Sequence, residues 1–467
     1  MDSRMTQRVL PMALAGLLGF GSSSLFADSL SSIYELALQN DASLKAAEAT
    51  YRANIETENS SRAALLPQIS ANAYYSDTSS DSDAVRLIGP TSLPTSTSSE
   101  FDGDGYGLSL SQTLFDLSAW FRFQSGKETS KQAKAEFASA QQELIIRVTQ
   151  AYFNVLTARE TLEATRAEER AVKRQLEQTQ QRFDVGLIAI TDVHEARAVY
   201  DSTVARRLGD EATVGTALEA LTVLTGQTHN SLAQLRDDFP VTEPSPADRS
   251  EWVQFALDNN FDLKAALYAA QAAQQNAKSR KADHLPTLTG RLSYNEDTSD
   301  GSNDILISGQ APFSSPIDDT TESEQIRIEL SVPLFSGGNV SAARRQAYQQ
   351  YNATLQQSIF RQRQVVQQVR SLHLTVSTDV QRIKARKQGI VSAESALDAT
   401  KAGYEVGTRN IVDVLQAQRS LFAAIRDYAN ARFEYVQNML KLKQQAGTLS
   451  PDDIYNLEKW LIAAKAE

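Results

Sequence analysis

The residues best suited to chemistry are few and scattered. Histidines stand at 194, 229, 284 and 373, and there is no cysteine. Without thiols the chain has no disulfide, no thiol nucleophile and no cysteine-based metal site. His194-Glu195 resembles the start of a zinc-protease helix, but that chemistry needs a second histidine one turn on, and Ala198 stands there. No glycine-rich loop ends in Gly-Lys-Ser or Gly-Lys-Thr, so no P-loop is expected. The glycine clusters GDGYG (Gly103 to Gly107) and FSGGN (Phe335 to Asn339) read as loop-to-strand and strand-to-helix junctions. No catalytic residue, metal site or cofactor is expected, and the chain does not read as an enzyme. Energy for any transport must come from a partner.

Two other stretches share one grammar: RFDVGLIAITDVHEARAVYD (Arg182 to Asp201) and GYEVGTRNIVDVLQAQR (Gly403 to Arg419). Gly186 and Gly407 permit a sharp reversal at the end of a long helix. Thr191 and Asp192 in one stretch, and Asp413 in the other, are placed to begin the next helix as capping side chains.

The elements that hold these turns are written twice. Leu36 to Ala47 (LALQNDASLKAA) matches Phe255 to Ala266 (FALDNNFDLKAA), and Leu65 to Tyr75 matches His284 to Tyr294. Leu114-Phe115 matches Leu334-Phe335. Phe183, Gly186, Asp192 and Val193 match Tyr404, Gly407, Asp413 and Val414, and Gly226 matches Gly447. The offset drifts only from 219 (Leu36 to Phe255) to 221 (Gly226 to Gly447). Self-similarity held in register over such a length marks two copies of one structural unit. The expected division is a signal peptide (1–27), a first repeat (28–226), a connector (227–248), a second repeat (249–447) and an appendage (448–467).

The signal rests on Arg4 and Arg8 followed by the apolar run Val9 to Phe20, with cleavage expected after Ala27. Beyond it no apolar stretch approaches the ~18 residues of a membrane helix. Any span must therefore be β. The net charge of −11 argues against nucleic acid.

Each half reads as helix, strand, strand, very long helix, helix. Ser118 to Arg182 holds no proline and one glycine, Gly126, which predicts a helix of about 98 Å. Leu144, Val148, Ala151, Val155, Ala158 and Leu162 follow a heptad seam. Gly338 to Gly403 is the matching long helix. Shorter helices are expected over Leu30 to Leu65, Asp192 to Thr225, Arg249 to Leu285 and Asp413 to Ala446. Strands of about 9–11 residues, the length that suits a tilted membrane strand, are expected at Ile69 to Tyr75, Tyr106 to Leu114, Leu288 to Tyr294 and Ile326 to Leu334. The Ser-, Asp- and Gly-rich segments between them read as solvent-facing loops. Four strands cannot close a membrane barrel, because open edges in lipid leave unpaired backbone groups. Copies must pool their hairpins, two giving eight strands and three giving twelve. An exported coiled-coil structural or adhesive protein without a pore is the other reading.

The segments Ala151 to Leu156 (AYFNVL), Gln175 to Val193, His284 to Leu288 (HLPTL) and Ser395 to Leu415 resemble the TolC family of outer-membrane channel-tunnels, part of the outer membrane efflux proteins. The resemblance runs through both halves. It implies a mixed α and β fold: a homotrimeric 12-stranded outer-membrane β-barrel, four strands per chain, continuing into a long α-helical barrel of coiled-coil helices in the periplasm. It implies the exit duct of tripartite efflux pumps and type I secretion systems. Partners would be a periplasmic adaptor (membrane fusion) protein, an inner-membrane transporter of RND, MFS or ABC type, and outer-membrane lipid. Neighbouring efflux proteins often carry a lipidated N-terminal cysteine, which this chain lacks.

By the same resemblance the two glycine turns are periplasmic tips where adaptors dock. Arg409 matches the arginine of the gate network, and Thr191, Asp192 and Tyr404 match its partners. Asp413 matches a constriction aspartate. The family often has a second aspartate three residues on; here that place is Gln416, which would leave the inner ring neutral and cation selectivity weaker.

Overall fold

The structure, a computed structural model, describes residues 28–88 and 90–462. The expected signal segment (1–27) and the end of the expected appendage (463–467) lie outside the described residues. The chain runs α1 (Leu30–Asn40), α2 (Ala42–Ala63), β1 (Gln68–Ile88), β2 (Thr91–Phe115), α3 (Leu117–Asp184), α4 (Ile190–Thr225) and β3 (Gln234–Leu235). Then come α5 (Arg249–Asn259), α6 (Phe261–Ala282), β4 (Thr287–Ile307), β5 (Phe313–Ser331), α7 (Asn339–Glu405), α8 (Ile411–Gln445), α9 (Pro451–Glu458) and β6 (Leu461–Ile462).

The two long helices, α3 with 68 residues and α7 with 67, form as expected. Along α3 the heptad residues Leu144, Val148, Val155, Ala158 and Leu162 are buried, with Ala151 half-buried. They feed a core at mid-height in which Tyr152 and Phe153 are fully enclosed and Phe153 meets Phe433 of α8 at 5.7 Å between ring centroids. The connector and the appendage join there, where β3 pairs antiparallel with β6. Buried His229 bridges Asp28 and Thr225, 2.8 Å from each, tying the start of the described chain to the seam.

The shorter N-terminal helices differ from expectation. Each is two helices, broken at Asp41 and at Asn260. The cause is capping: Asp41 Oδ1 accepts from the Leu44 amide at 2.6 Å, and Asn260 Oδ1 accepts from Leu263 at 2.8 Å. Both breaks are then locked from outside. Arg147 donates twice to Asp41, at 2.8 and 2.9 Å, and Asn260 donates to the Gln445 carbonyl at 2.9 Å.

The strands are a larger correction. They run 21, 25, 21 and 19 residues, so most of the Ser-, Asp- and Gly-rich segments are strand, not loop. Continuous antiparallel ladders and polar cross-strand bonds, such as Ser98 to Asp81 at 2.5 Å, extend the hairpins past their apolar part. The last strand ends earlier than expected, at Ser331, leaving Val332 and Leu334 outside it, because Pro333 has no N–H for the ladder.

The sheet order is β1-β2-β4-β5, so the two hairpins join through β2 and β4, and β1 and β5 are open edges. Register separates the faces. One row reads Ile69, Leu110, Leu292, Ile326, and the next residue on each strand gives Ser70, Ser109, Ser293, Gln325 on the other face. On the apolar face Ile69, Ile326, Ile328 and Leu330 are exposed. A bulge after Thr113 turns Phe115 onto that face, opposite Leu288. Farther from the helices the apolar face acquires Tyr294, Tyr106 and Tyr75, with Glu324, Glu296, Glu322 and Asp104 in the same rows, then a row made up of carboxylates alone, Asp77, Asp102, Asp300 and Asp318. No helix among the described residues is long and apolar enough to cross a membrane.

Candidate functional site: the helical tips

Both long helices end in the same way. Gly186 (φ +75°) and Gly407 (φ +79°) take the left-handed conformation, where a Cβ would be strained although each has open space around it. The turn captures carbonyls left over at the helix end. Gly186 N–H donates to Phe183 and Leu187 N–H to Arg182, and Gly407 N–H donates to Tyr404 and Thr408 N–H to Gly403.

The helices that follow begin differently from one another. α4 starts at Ile190 with Ala189 as its uncapped N-cap, so Thr191 and Asp192 lie inside the first turn and do not cap it. Asp192 there still faces the positive end of the helix dipole. At α8 the cap is Asn410, whose Oδ1 accepts from the Asp413 amide at 2.9 Å while Asp413 accepts from the Asn410 amide at 3.4 Å. Asp413 is thus the return arm of a capping box. The sequence reading missed Asn410, although the pattern NIVD announces such a box.

Tyr404 is half-buried against a small cluster of Val172, Ala196, Ile411 and Leu415, with the Arg182 guanidinium 5.0 Å from its ring centroid. Its hydroxyl is buried and has no hydrogen-bond partner among the described residues. Arg182 was not foreseen, since it meets Tyr404 only where the ends of α3 and α7 come together. Buried Gln418 likewise has an unpartnered Oε1. Both line a cleft of about 700 Å³ between the ends of α3 and α7 and the start of α8, together with Arg174, Arg182 and Lys401.

The remaining expected site residues point outward. Arg409 reaches only Asp413, at 3.8 Å on an exposed face, a pair that contributes little in water. Thr191, Asp192 and Gln416 make no side-chain hydrogen bond or ion pair to a described residue. Within one copy, therefore, the tips place Tyr404, Arg409, Asp413 and Gln416 on adjoining turns but do not link them to Thr191 and Asp192. The donors and acceptors of a network are present and unspent.

Comparison with known proteins follows the same lines. The family model described as outer membrane efflux protein matches residues 33–227 and again 252–448. Outer membrane protein TolC of Vibrio cholerae serotype O1 is 37% identical over 459 residues, 98% of this chain and 100% of that protein. The alkaline protease secretion protein AprF of Pseudomonas aeruginosa is 30% identical over 429 residues, 90% of this chain and 85% of that one. Among solved structures, the outer membrane protein VceC of Vibrio cholerae superposes with a TM-score of 0.71 at 21% identity, over 90% of this chain and 96% of that chain.

Proposed function

The chain belongs to the outer membrane efflux protein family, and from that premise we infer that it is an exit duct through the outer membrane, serving efflux pumps and type I secretion. It works as a passive conduit. Its partners are a periplasmic adaptor and an inner-membrane transporter of RND, MFS or ABC type, which supply the energy.

The observation that carries this reading is the sheet. From Phe115 to Tyr106 the apolar face of β2 runs about 30 Å along the strand, roughly 23 Å of depth at a ~40° tilt, close to the lipid band of an outer-membrane barrel. Tyr294 and Tyr106 close the band and Tyr75 stands just above it, positions that suit the membrane interface, and the carboxylate row suits water beyond. The other face carries Ser, Gly, Asn and Thr, the lining of an aqueous pore. A pore-free exported protein would leave the apolar face in water with nothing to cover it.

Two open edges on a four-stranded sheet demand closure by other copies. The family makes three the number, giving twelve strands above a tunnel of helices about 100 Å long. On this reading the chain divides into a signal peptide, two repeats, a connector and an equatorial appendage, a division supported by the two stretches that the family model matches, 33–227 and 252–448.

In such a trimer the tips of neighbours meet. Thr191, Asp192, Tyr404 and Arg409 form the closing network between copies, Gly186 and Gly407 shape the docking turns, and Asp413 and Gln416 line the constriction. The unspent hydrogen-bonding groups at each tip support this. Replacing Arg409 by Ser, or Tyr404 by Phe, should raise single-channel conductance in planar bilayers severalfold. Parent-like conductance in both variants would sink the gate assignment.

A further inference from the structure

Just below the lowest apolar row, Phe115, Leu288 and Leu330, lies a cleft of about 350 Å³ between the end of α6 and the start of α7. It is lined by Ala277, Lys281, Arg344, Arg345, Tyr348 and Gln349. No carboxylate lines it. Nearby, Arg280 pairs with Asp283, Arg122 with Asp116, and Lys278 lies over the Phe121 ring, but Lys281, Arg344 and Arg345 form no ion pair with a described residue.

The two arginines also sit at the wrong end of their helix. Cations favour a helix C-terminus, as Lys281 does in the last turn of α6. Arg344 and Arg345 instead follow the N-terminus of α7, whose N-cap Gly338 offers no side chain and whose first turn holds no acid. Three positive side chains therefore crowd one cleft whose lining holds nothing to neutralise them. In the segment that links β5 to α7, between the sheet and the cations along the chain, Leu334 and Phe335 are 92% and 88% exposed. Anionic head and apolar tail are the two halves of one ligand.

We propose that this cleft binds the phosphate of an anionic glycerophospholipid in the periplasmic leaflet of the outer membrane. The lysine and the two guanidiniums engage the phosphate, Tyr348 borders the glycerol, and the acyl chains rise over Leu334 and Phe335 along the outer face of the sheet. The proposal rests on the membrane placement of the apolar band argued above.

The test follows the melting temperature of the full-length protein in neutral detergent, with dilauroyl phosphatidylglycerol, dilauroyl phosphatidylcholine or inorganic phosphate added. Phosphatidylglycerol should raise it by several degrees, and the other two should not. The shift should vanish in the triple variant Lys281→Gln, Arg344→Gln, Arg345→Gln and persist in the charge-preserving Arg344→Lys, Arg345→Lys. An equal shift with inorganic phosphate would make this a free-anion site and overturn the lipid. A triple variant with the parent's shift would place the lipid elsewhere. Loss of oligomer in the triple variant, with or without lipid, would assign the cations to carboxylates of a second copy. Conductance of the parent in planar bilayers is read alongside: a conducting parent without the lipid shift refutes only this site, and a non-conducting parent refutes the duct.

Discussion

Gln416 sits on the exposed face of α8 one turn beyond Asp413, with its side chain free to face whatever passes the tips. Ring charge at a constriction sets ion selectivity because three symmetry copies add their fields at one axis. In the proposed trimer, glutamine at the inner position would leave only the Asp413 ring charged. Gln416→Asp should therefore strengthen block by multivalent cations such as hexamminecobalt, with at least a tenfold lower blocking concentration in single-channel recordings. Unchanged block would place residue 416 away from the axis. The glycine turns themselves were legible in the sequence, because a glycine closing a long helix is a local pattern. Sequence reading missed Arg182 over Tyr404, since that pairing depends on how the ends of α3 and α7 come together where both pack on α8, and has no local signature.

The elements were legible where one period persists and illegible where tertiary pairing decides. A proline-free heptad stretch leaves α3 no alternative to a long helix. The strands beyond Tyr75 and Tyr106 are built of Ser, Asp and Gly, which have low intrinsic strand preference, so only the cross-strand ladder makes them β. The breaks at Asp41 and Asn260 lie between, since capping residues were in plain view but the helical period continues across them. The first break is also an ionic one. Arg147 holds the Asp41 carboxyl below the usual carboxylate range through its paired hydrogen bonds, outweighing the opposing effect of burial. A carboxylate whose folded pKa is depressed adds stability that is complete above its unfolded value and fades as pH falls through the folded one. The melting temperature should accordingly drop on the acid side of pH 4, and Asp41→Asn should flatten that limb. Arg147→Ala strands a buried carboxylate and should cost about 3 kcal/mol, seen as a clear fall in melting temperature at pH 7. An acid limb identical in parent and Asp41→Asn would assign acid loss to other carboxylates.

At the scale of the whole molecule the sheet is unfinished: β1 and β5 each present a row of unpaired backbone groups on either side of an apolar face. In lipid each unpaired group costs several kcal/mol, so the edges must meet, and they can do so only between copies. The absence of cysteine makes this directly measurable. Ala73→Cys on β1, combined in turn with Glu324→Cys, Ile326→Cys or Ile328→Cys on β5, all on the same face of the sheet, puts one thiol on each edge. In a closed ring of three, oxidation at the matching register joins every copy to both neighbours, and a non-reducing gel should show covalent trimer as the end product. A ladder that stops at dimer would mean eight strands, and monomer alone would mean that the edges never meet. The hairpins also outrun the membrane. Strands of 19–25 residues are about twice what a tilted crossing needs, so the carboxylate-bearing half should stand in water outside the lipid. The same cysteine approach reads this directly: Asp102→Cys in intact cells should react with a membrane-impermeant maleimide, while Leu110→Cys, eight residues nearer the helices, should stay protected by lipid.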